Sequence, residues 1–208
     1  EVHLQSMFGS QAFLDVKGIK TNCDSSATCG TSTYCVSAAS SRTRGADANG
    51  ATGTWKIVRV SGSGSLQSGD EVHIQSTYDS QTYLDTCGVG CQDNDYCVST
   101  DTSPTRYQKT GTWTVTLASG ASGDVNYGDD VYLFNGHAPV YLDIRGTNCH
   151  GNTYCVSASS SATRDGNSGT WRMFLTITTS TTATTRSTTG TTTTRTTITA
   201  TTMTSTST

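Results

Sequence analysis

The cysteines are the residues whose type and spacing speak most directly of chemistry. They stand at Cys23, Cys29, Cys35, Cys87, Cys91, Cys97, Cys149 and Cys155, and three pairs share the spacing C-x5-C: Cys29 with Cys35, Cys91 with Cys97, and Cys149 with Cys155. A spacing that recurs at matching places predicts disulfides within each repeat, with Cys23 and Cys87 left to join the first repeat to the second. Eight cysteines allow 105 connectivities, and Cys23 stands at the same spacing from Cys29, so pairing of Cys23 with Cys29 or Cys35 stays open. The spacing is not that of a four-cysteine zinc site, and His3, His73, His137 and His150 are not clustered with the thiols, so neither metal nor cofactor is expected. Disulfides persist in oxidising surroundings, which predicts a secreted, extracellular protein, in one variant attached to a cell surface.

Hydrolytic chemistry has little to build on. A nucleophile–base pair or two cooperating carboxylates need one convergent site. Here the acids Asp15, Asp85 and Asp143 occupy equivalent places in successive repeats, and the histidines are scattered. Asp93 with Asp95 and Asp129 with Asp130 lack the fuller ligand set of a calcium loop. The sequence therefore predicts no enzyme.

The elements that must position these residues are legible through an internal repeat. Gly-Thr-Trp ends at Trp55, Trp113 and Trp171, the only tryptophans, at intervals of 58 residues. Three further markers recur in order before it. They are a Val-His/Tyr-Leu/Ile run (Val2, Val72, Val131), an aromatic-Leu-Asp triplet (Phe13, Tyr83, Tyr141), and Tyr-Cys-Val-Ser (Tyr34, Tyr96, Tyr154). Each marker is short, rich in β-branched and aromatic residues, and bounded by Gly, Ser, Asn and Asp, which is the signature of strands. Four strands repeated three times predict twelve strands and an all-β fold, expected as a β-trefoil: a six-stranded barrel capped by three hairpins. Closure into a barrel removes free sheet edges. The expected domain spans residues 1–175, with repeats at about 1–65, 66–124 and 125–175.

With Gly-Asp-x-Val-Tyr-Leu, Tyr-Leu-Asp, Val-Ser and Gly-Thr-Trp in view, residues 1 to about 175 resemble the β-trefoil modules related to ricin-B-type lectins and fascin-like domains. Gly-Thr-Trp stands where the ricin-type modules carry Gln-x-Trp. The resemblance implies a carbohydrate-binding alternative, in which Asp15, Asp85 and Asp143 accept sugar hydroxyls beside an aromatic platform including Tyr83 and Tyr141. The competing reading makes the same aspartates structural, each orienting the turn after it.

The remaining segment, 176–208, is of another kind. It holds 21 threonines and 4 serines, with no proline, acid or aromatic residue, and cannot build a core. Its residues step in threes, the period of polyproline II, which predicts an extended rod. In a secreted chain such a stretch is where O-linked glycans are placed. The candidate acceptors are Thr178, Thr179, Thr181, Thr182, Thr184, Thr185, Thr188, Thr189, Thr191, Thr192, Thr193, Thr194, Thr196 and Thr197. No Asn-x-Ser/Thr sequon is present.

Composition bounds the partners. A net charge of -3, with 14% charged residues and no basic stripe, argues against nucleic acid. No run of 18 apolar residues exists to span a bilayer as a helix. Glu1 aligns with Glu71 at the first strand of its repeat, which is expected of a chain that has lost a signal peptide or has been trimmed. These readings converge on a secreted structural glycoprotein. Its expected partners are copies of itself in a head-to-tail polymer and its own O-linked glycans, with external carbohydrate as the alternative.

Overall fold

The computed structural model describes residues 1–19, 29, 34–44, 51–91, 95–147, 152–176, 183–188 and 191–196. The chain divides into two compact units, Glu1–Thr176 and Ile177–Thr208.

The first unit holds twelve strands, four per repeat. They are β1 (Val2–Ser6), β2 (Phe13–Ile19), β3 (Tyr34–Ala39), β4 (Trp55–Arg59), β5 (Glu71–Ser76), β6 (Tyr83–Val89), β7 (Tyr96–Asp101), β8 (Trp113–Leu117), β9 (Asp130–Asn135), β10 (Val140–Thr147), β11 (Tyr154–Ser159) and β12 (Trp171–Leu175). Three of the four markers start a strand or lie within one, and Gly-Thr-Trp leads into one, its tryptophan being the first residue of β4, β8 or β12. All pairings are antiparallel, and all twelve strands belong to one sheet.

That sheet corrects the expected architecture. A β-trefoil of three four-stranded repeats, with a six-stranded barrel and three separate capping hairpins, would confine the hairpin strands to caps. Instead a closed circuit of ten strands runs β10–β11–β7–β3–β2–β1–β4–β5–β8–β9 and returns to β10, with β6 and β12 bonded onto it. The physical reason is that β3, β7 and β11 pair with one another across repeat boundaries, Tyr34 with Thr100, Ser157 with Cys97 and Tyr154 with Ala38. Backbone groups at a hairpin edge seek partners wherever a neighbouring edge comes within reach.

The core is drawn equally from the three repeats. Trp55, Trp113 and Trp171 are fully buried with Leu4, Leu14, Ile74, Leu84, Leu133 and Leu142. Each indole N–H donates to the leucine carbonyl of its own repeat's aromatic-Leu-Asp triplet: Leu14 at 3.0 Å, Leu84 at 2.9 Å and Leu142 at 3.0 Å. A buried indole needs such a partner, so one side chain ties the closing strand of a repeat to its second strand. The glycine of Gly-Thr-Trp has an equally local cause. A Cβ at Gly53, Gly111 or Gly169 would stand 2.7, 2.6 or 2.5 Å from the carbonyl oxygen of Arg42, Pro104 or Ala162. Only glycine lets the two backbones approach so closely.

The second unit also departs from expectation. In place of a polyproline rod, β13 (Ala183–Thr188) and β14 (Thr191–Thr196) pair antiparallel, from Ala183 opposite Thr196 to Thr188 opposite Thr191. Threonine is β-branched and favours the extended conformation that a ladder needs. Two such runs following each other satisfy backbone groups that a lone rod would leave to water.

Candidate functional site

The three aspartates of the aromatic-Leu-Asp triplets lie on β2, β6 and β10, and each is wholly buried. Strand alternation turns the aspartate and the aromatic residue two positions before it to one face. Pairing with β3, β7 and β11 then encloses the carboxylate. Each one meets an arginine from the segment before Gly-Thr-Trp: Arg44 for Asp15, Arg106 for Asp85 and Arg164 for Asp143. The second carboxylate oxygen accepts a hydroxyl hydrogen bond from Thr52 (2.8 Å), Thr110 (2.7 Å) or Ser168 (2.8 Å). Arg106 also reaches Asp101 at 3.4 Å.

Burial pushes the Asp15 and Asp85 carboxyls above the ordinary carboxylate value, while the paired guanidinium and hydroxyl pull the other way. With their oxygens occupied and no exposed surface, the aspartates have no place for a sugar hydroxyl in this arrangement. Tyr83 and Tyr141 are half-buried and face the preceding strands, β5 and β9. Tyr83 packs edge-on against His73 and accepts from Gln75 at 3.1 Å, and Tyr141 packs against Tyr132 and Phe134.

The arginines are functional residues of the fold that marker alignment passed over. The signal was present as a shared Thr-Arg: Thr43-Arg44, Thr105-Arg106 and Thr163-Arg164.

The thiols follow the expected pattern in part. Cys91 is bonded to Cys97, with Cα atoms 4.9 Å apart. The expected Cys29–Cys35 bond is corrected: Cys29 is bonded to Cys87, with Cα atoms 4.7 Å apart, and the bond crosses from the first repeat to the second. Spacing along the chain does not report which strands meet in space; Cys87 lies on β6 within the stretch where its register with β7 shifts, between Thr86 and Val89. Cys35 and Cys155 are disulfide-bonded as well, while Cys23 and Cys149 lie outside the described residues. Of the candidate acceptors, Thr178, Thr179, Thr181, Thr182, Thr189 and Thr197 also lie outside them. Thr184, Thr185 and Thr188 fall on β13, and Thr191, Thr192, Thr193, Thr194 and Thr196 on β14.

The repeat boundaries are where the three units stop being alike. At the first, Phe8 of repeat one packs edge-on against Tyr154 of repeat three, with centroids 5.9 Å apart, and the Ser10 amide donates to the Tyr154 hydroxyl at 3.1 Å. At the second, Tyr78 of repeat two packs likewise against Tyr34 of repeat one at 6.1 Å, and the Tyr34 hydroxyl donates to Asp79. At the third, the residue equivalent to Phe8 and Tyr78 is His137, facing the Tyr96 groove. The connecting turn there is one residue shorter, since Tyr141 pairs with Phe134 whereas Tyr83 pairs with Gln75 and Phe13 with Gln5. Among the described residues no ring pair closes this third groove. It holds a cavity of about 240 Å³, lined by Tyr96, Arg106, Tyr107, His137 and the Cys29–Cys87 bridge.

Comparison with known proteins places the fold. No protein-family model matches the chain, and no curated protein is significantly similar to it in sequence. Solved structures do match. A Caenorhabditis elegans protein of unknown function is 14% identical over 83% of this chain and 92% of its own, with a TM-score of 0.59. An SDF2-like protein from Arabidopsis thaliana is 13% identical over 84% and 93%, with a TM-score of 0.61. The O-mannosyltransferase Pmt1-Pmt2 complex of S. cerevisiae, bound to its sugar donor, matches at 13% identity and a TM-score of 0.61, over 84% of this chain and 24% of that one. The likeness is one of fold. It corrects the lectin and fascin-like resemblance, because the barrel is of the kind seen in the SDF2-like structure and no lectin family matches.

Proposed function

We propose that this chain is a secreted structural glycoprotein subunit that assembles with copies of itself into an extracellular filament or coat. The observation that supports this reading best is the β13–β14 ladder. It is a two-stranded sheet of its own, so each strand is bonded on one edge only among the described residues. Two-stranded sheets are marginal in water, and a bare edge invites pairing with an added strand. The sequences Ala-Thr-Thr-Arg-Ser-Thr and Thr-Thr-Thr-Thr-Arg-Thr bring no aliphatic face for the chain to bury, which leaves backbone pairing as the interaction on offer. Disulfides between Cys29 and Cys87 and between Cys91 and Cys97 agree with an oxidising location. The carbohydrate-binding alternative loses its carboxylates to the buried arginine pairs.

The test is electron microscopy and sedimentation of the full chain secreted from a glycosylating host, beside the Thr185→Pro/Thr194→Pro pair. These two residues face each other in the ladder, and proline removes a donor from each strand. Polymers in the parent and their loss in the variant are expected, together with an intact mass above the 21.9 kDa of the unmodified chain. Single beads in the parent at every concentration sink the reading.

A further inference from the structure

The two acids that open repeat two are each met by a cation. Asp70 accepts the Gln67 amide at 2.7 Å and the Arg59 guanidinium at 3.0 Å, and Glu71 accepts from Lys109 at 2.8 Å. The other end of the Arg59 guanidinium donates to the carbonyls of Ser63 and Ser65 at 3.1 and 3.0 Å. His73 meets the Gly111 carbonyl through Nδ1 at 3.0 Å. Basic side chains thus fill this part of repeat two.

Repeat three keeps the backbone frame and changes the side chains. Arg59 stands opposite Val72 and Leu117 opposite Val131, so Leu117 takes the place of Arg59. Asn167 takes that of Lys109, four residues before the tryptophan in each repeat, and Tyr132 that of His73. Asp129 is braced as Asp70 is, by the Asn126 amide at 2.7 Å. Asp130 is spoken for by Arg172, at 2.8 and 3.0 Å. No cation among the described residues pairs with Asp129, so the place is one positive charge short of its counterpart. It is also open. A cavity of about 500 Å³ is lined there by Leu117, Ser119, Asp129, Tyr132, Asn167 and others.

We infer that this cavity is a guanidinium site, taking from outside the barrel the arginine head that repeat two supplies from within. A carboxylate alone would not single out that ligand. The counterpart does, because the same amide-braced aspartate holds a guanidinium in the same molecule. Asp129 and Tyr132 are half-buried, which limits screening of the carboxylate, and an aromatic ring in the wall offers a surface on which a planar cation stacks. The Asn167 carboxamide and the Ser119 hydroxyl provide acceptors for the remaining N–H groups, the part played by Ser63 and Ser65 in repeat two. The arginine comes either from a second copy, whose residues 176–208 carry Arg186, Arg195 and no acid, or from a free guanidinium ligand. The site itself stands apart from the polymer reading.

NMR titration of the full chain with N-acetylarginine amide reads the site, with N-acetylcitrulline amide as the neutral isostere. Saturable shifts around Asp129 and Tyr132 are expected with the arginine compound and not with the other. Asp129→Asn should weaken binding by about tenfold or more, the effect of losing a charge-assisted hydrogen bond. Leu117→Arg places an arginine where Arg59 stands in repeat two and should block the titration, with a melting temperature near the parent's showing that the barrel is intact. Absence of saturable shifts, equal binding of the citrulline compound, or undiminished binding by Asp129→Asn overturns the inference. Sedimentation velocity separates the sources. If a second copy supplies the arginine, Asp129→Asn and Arg186→Gln/Arg195→Gln should lower self-association alike. If neither changes it while arginine amide still binds, the ligand is a free one. Polymers from a chain that binds no arginine amide sink the site alone, and single beads that bind it sink the polymer alone.

Discussion

Asp85 has no exposed surface, and its arginine is 11% exposed, so the pair is valued by what its breaking would leave behind. Removing one partner of a buried pair strands the other charge, at a cost of about 3–5 kcal/mol. Asp85→Ala should lower stability by that amount in denaturant titration, whereas an exposed pair such as Lys109–Glu71 should contribute less than about 1 kcal/mol. The pH dependence is a second readout of the same variant. Because burial raises the folded-state value of Asp85, the folded chain holds the proton more tightly than the unfolded chain does. This carboxyl therefore adds stability as pH falls through the raised value toward 3.8 and loses it as pH rises. The slope of melting temperature against pH across that acidic window should become less negative in the variant, whatever the rest of the molecule does.

At the scale of elements, the twelve strands of the barrel were legible because each carries β-branched or aromatic residues in a short run, and because three copies corroborate one another. Their partners were less so. Whether β3 stays within its hairpin or also pairs with β7 and β11 depends on edges meeting in space, which no local period encodes. The threonine segment was misread for a related reason: a triplet phase and a β-branched run overlap in the same residues, and only a facing strand decides between them. The glycine of Gly-Thr-Trp was legible as a marker and opaque as a cause until the carbonyl opposite it was seen. Gly111→Ala should cost about 1–3 kcal/mol, the range for overpacking, since the obstructing atom is the Pro104 carbonyl oxygen at 2.6 Å and backbone yields poorly. Equilibrium unfolding checks it, and Gly136→Ala, where a Cβ meets nothing within 4 Å and the backbone is not left-handed, is the control for adding a Cβ without the clash.

At the scale of the molecule, the crossing of a disulfide from one repeat to the next matters more than the number of disulfides. The Cys29–Cys87 bond spans a separation of 58 residues and the Cys91–Cys97 bond one of 6. Loop-closure entropy then assigns about 4 kcal/mol to the first and about 2 kcal/mol to the second. Cys29→Ser/Cys87→Ser should accordingly depress the melting temperature further than Cys91→Ser/Cys97→Ser, measured by calorimetry under non-reducing conditions. The sequence announced that the cysteines pair, and that Cys87 meets Cys29 across a repeat boundary was invisible in it. The missing residue in the turn at His137 reaches further than its size suggests. A body with three equal open sides offers three attachment points, and units of that valence branch into a network. Closing two sides from within leaves one side unlike the others, so the threefold symmetry of the core stops short of the surface.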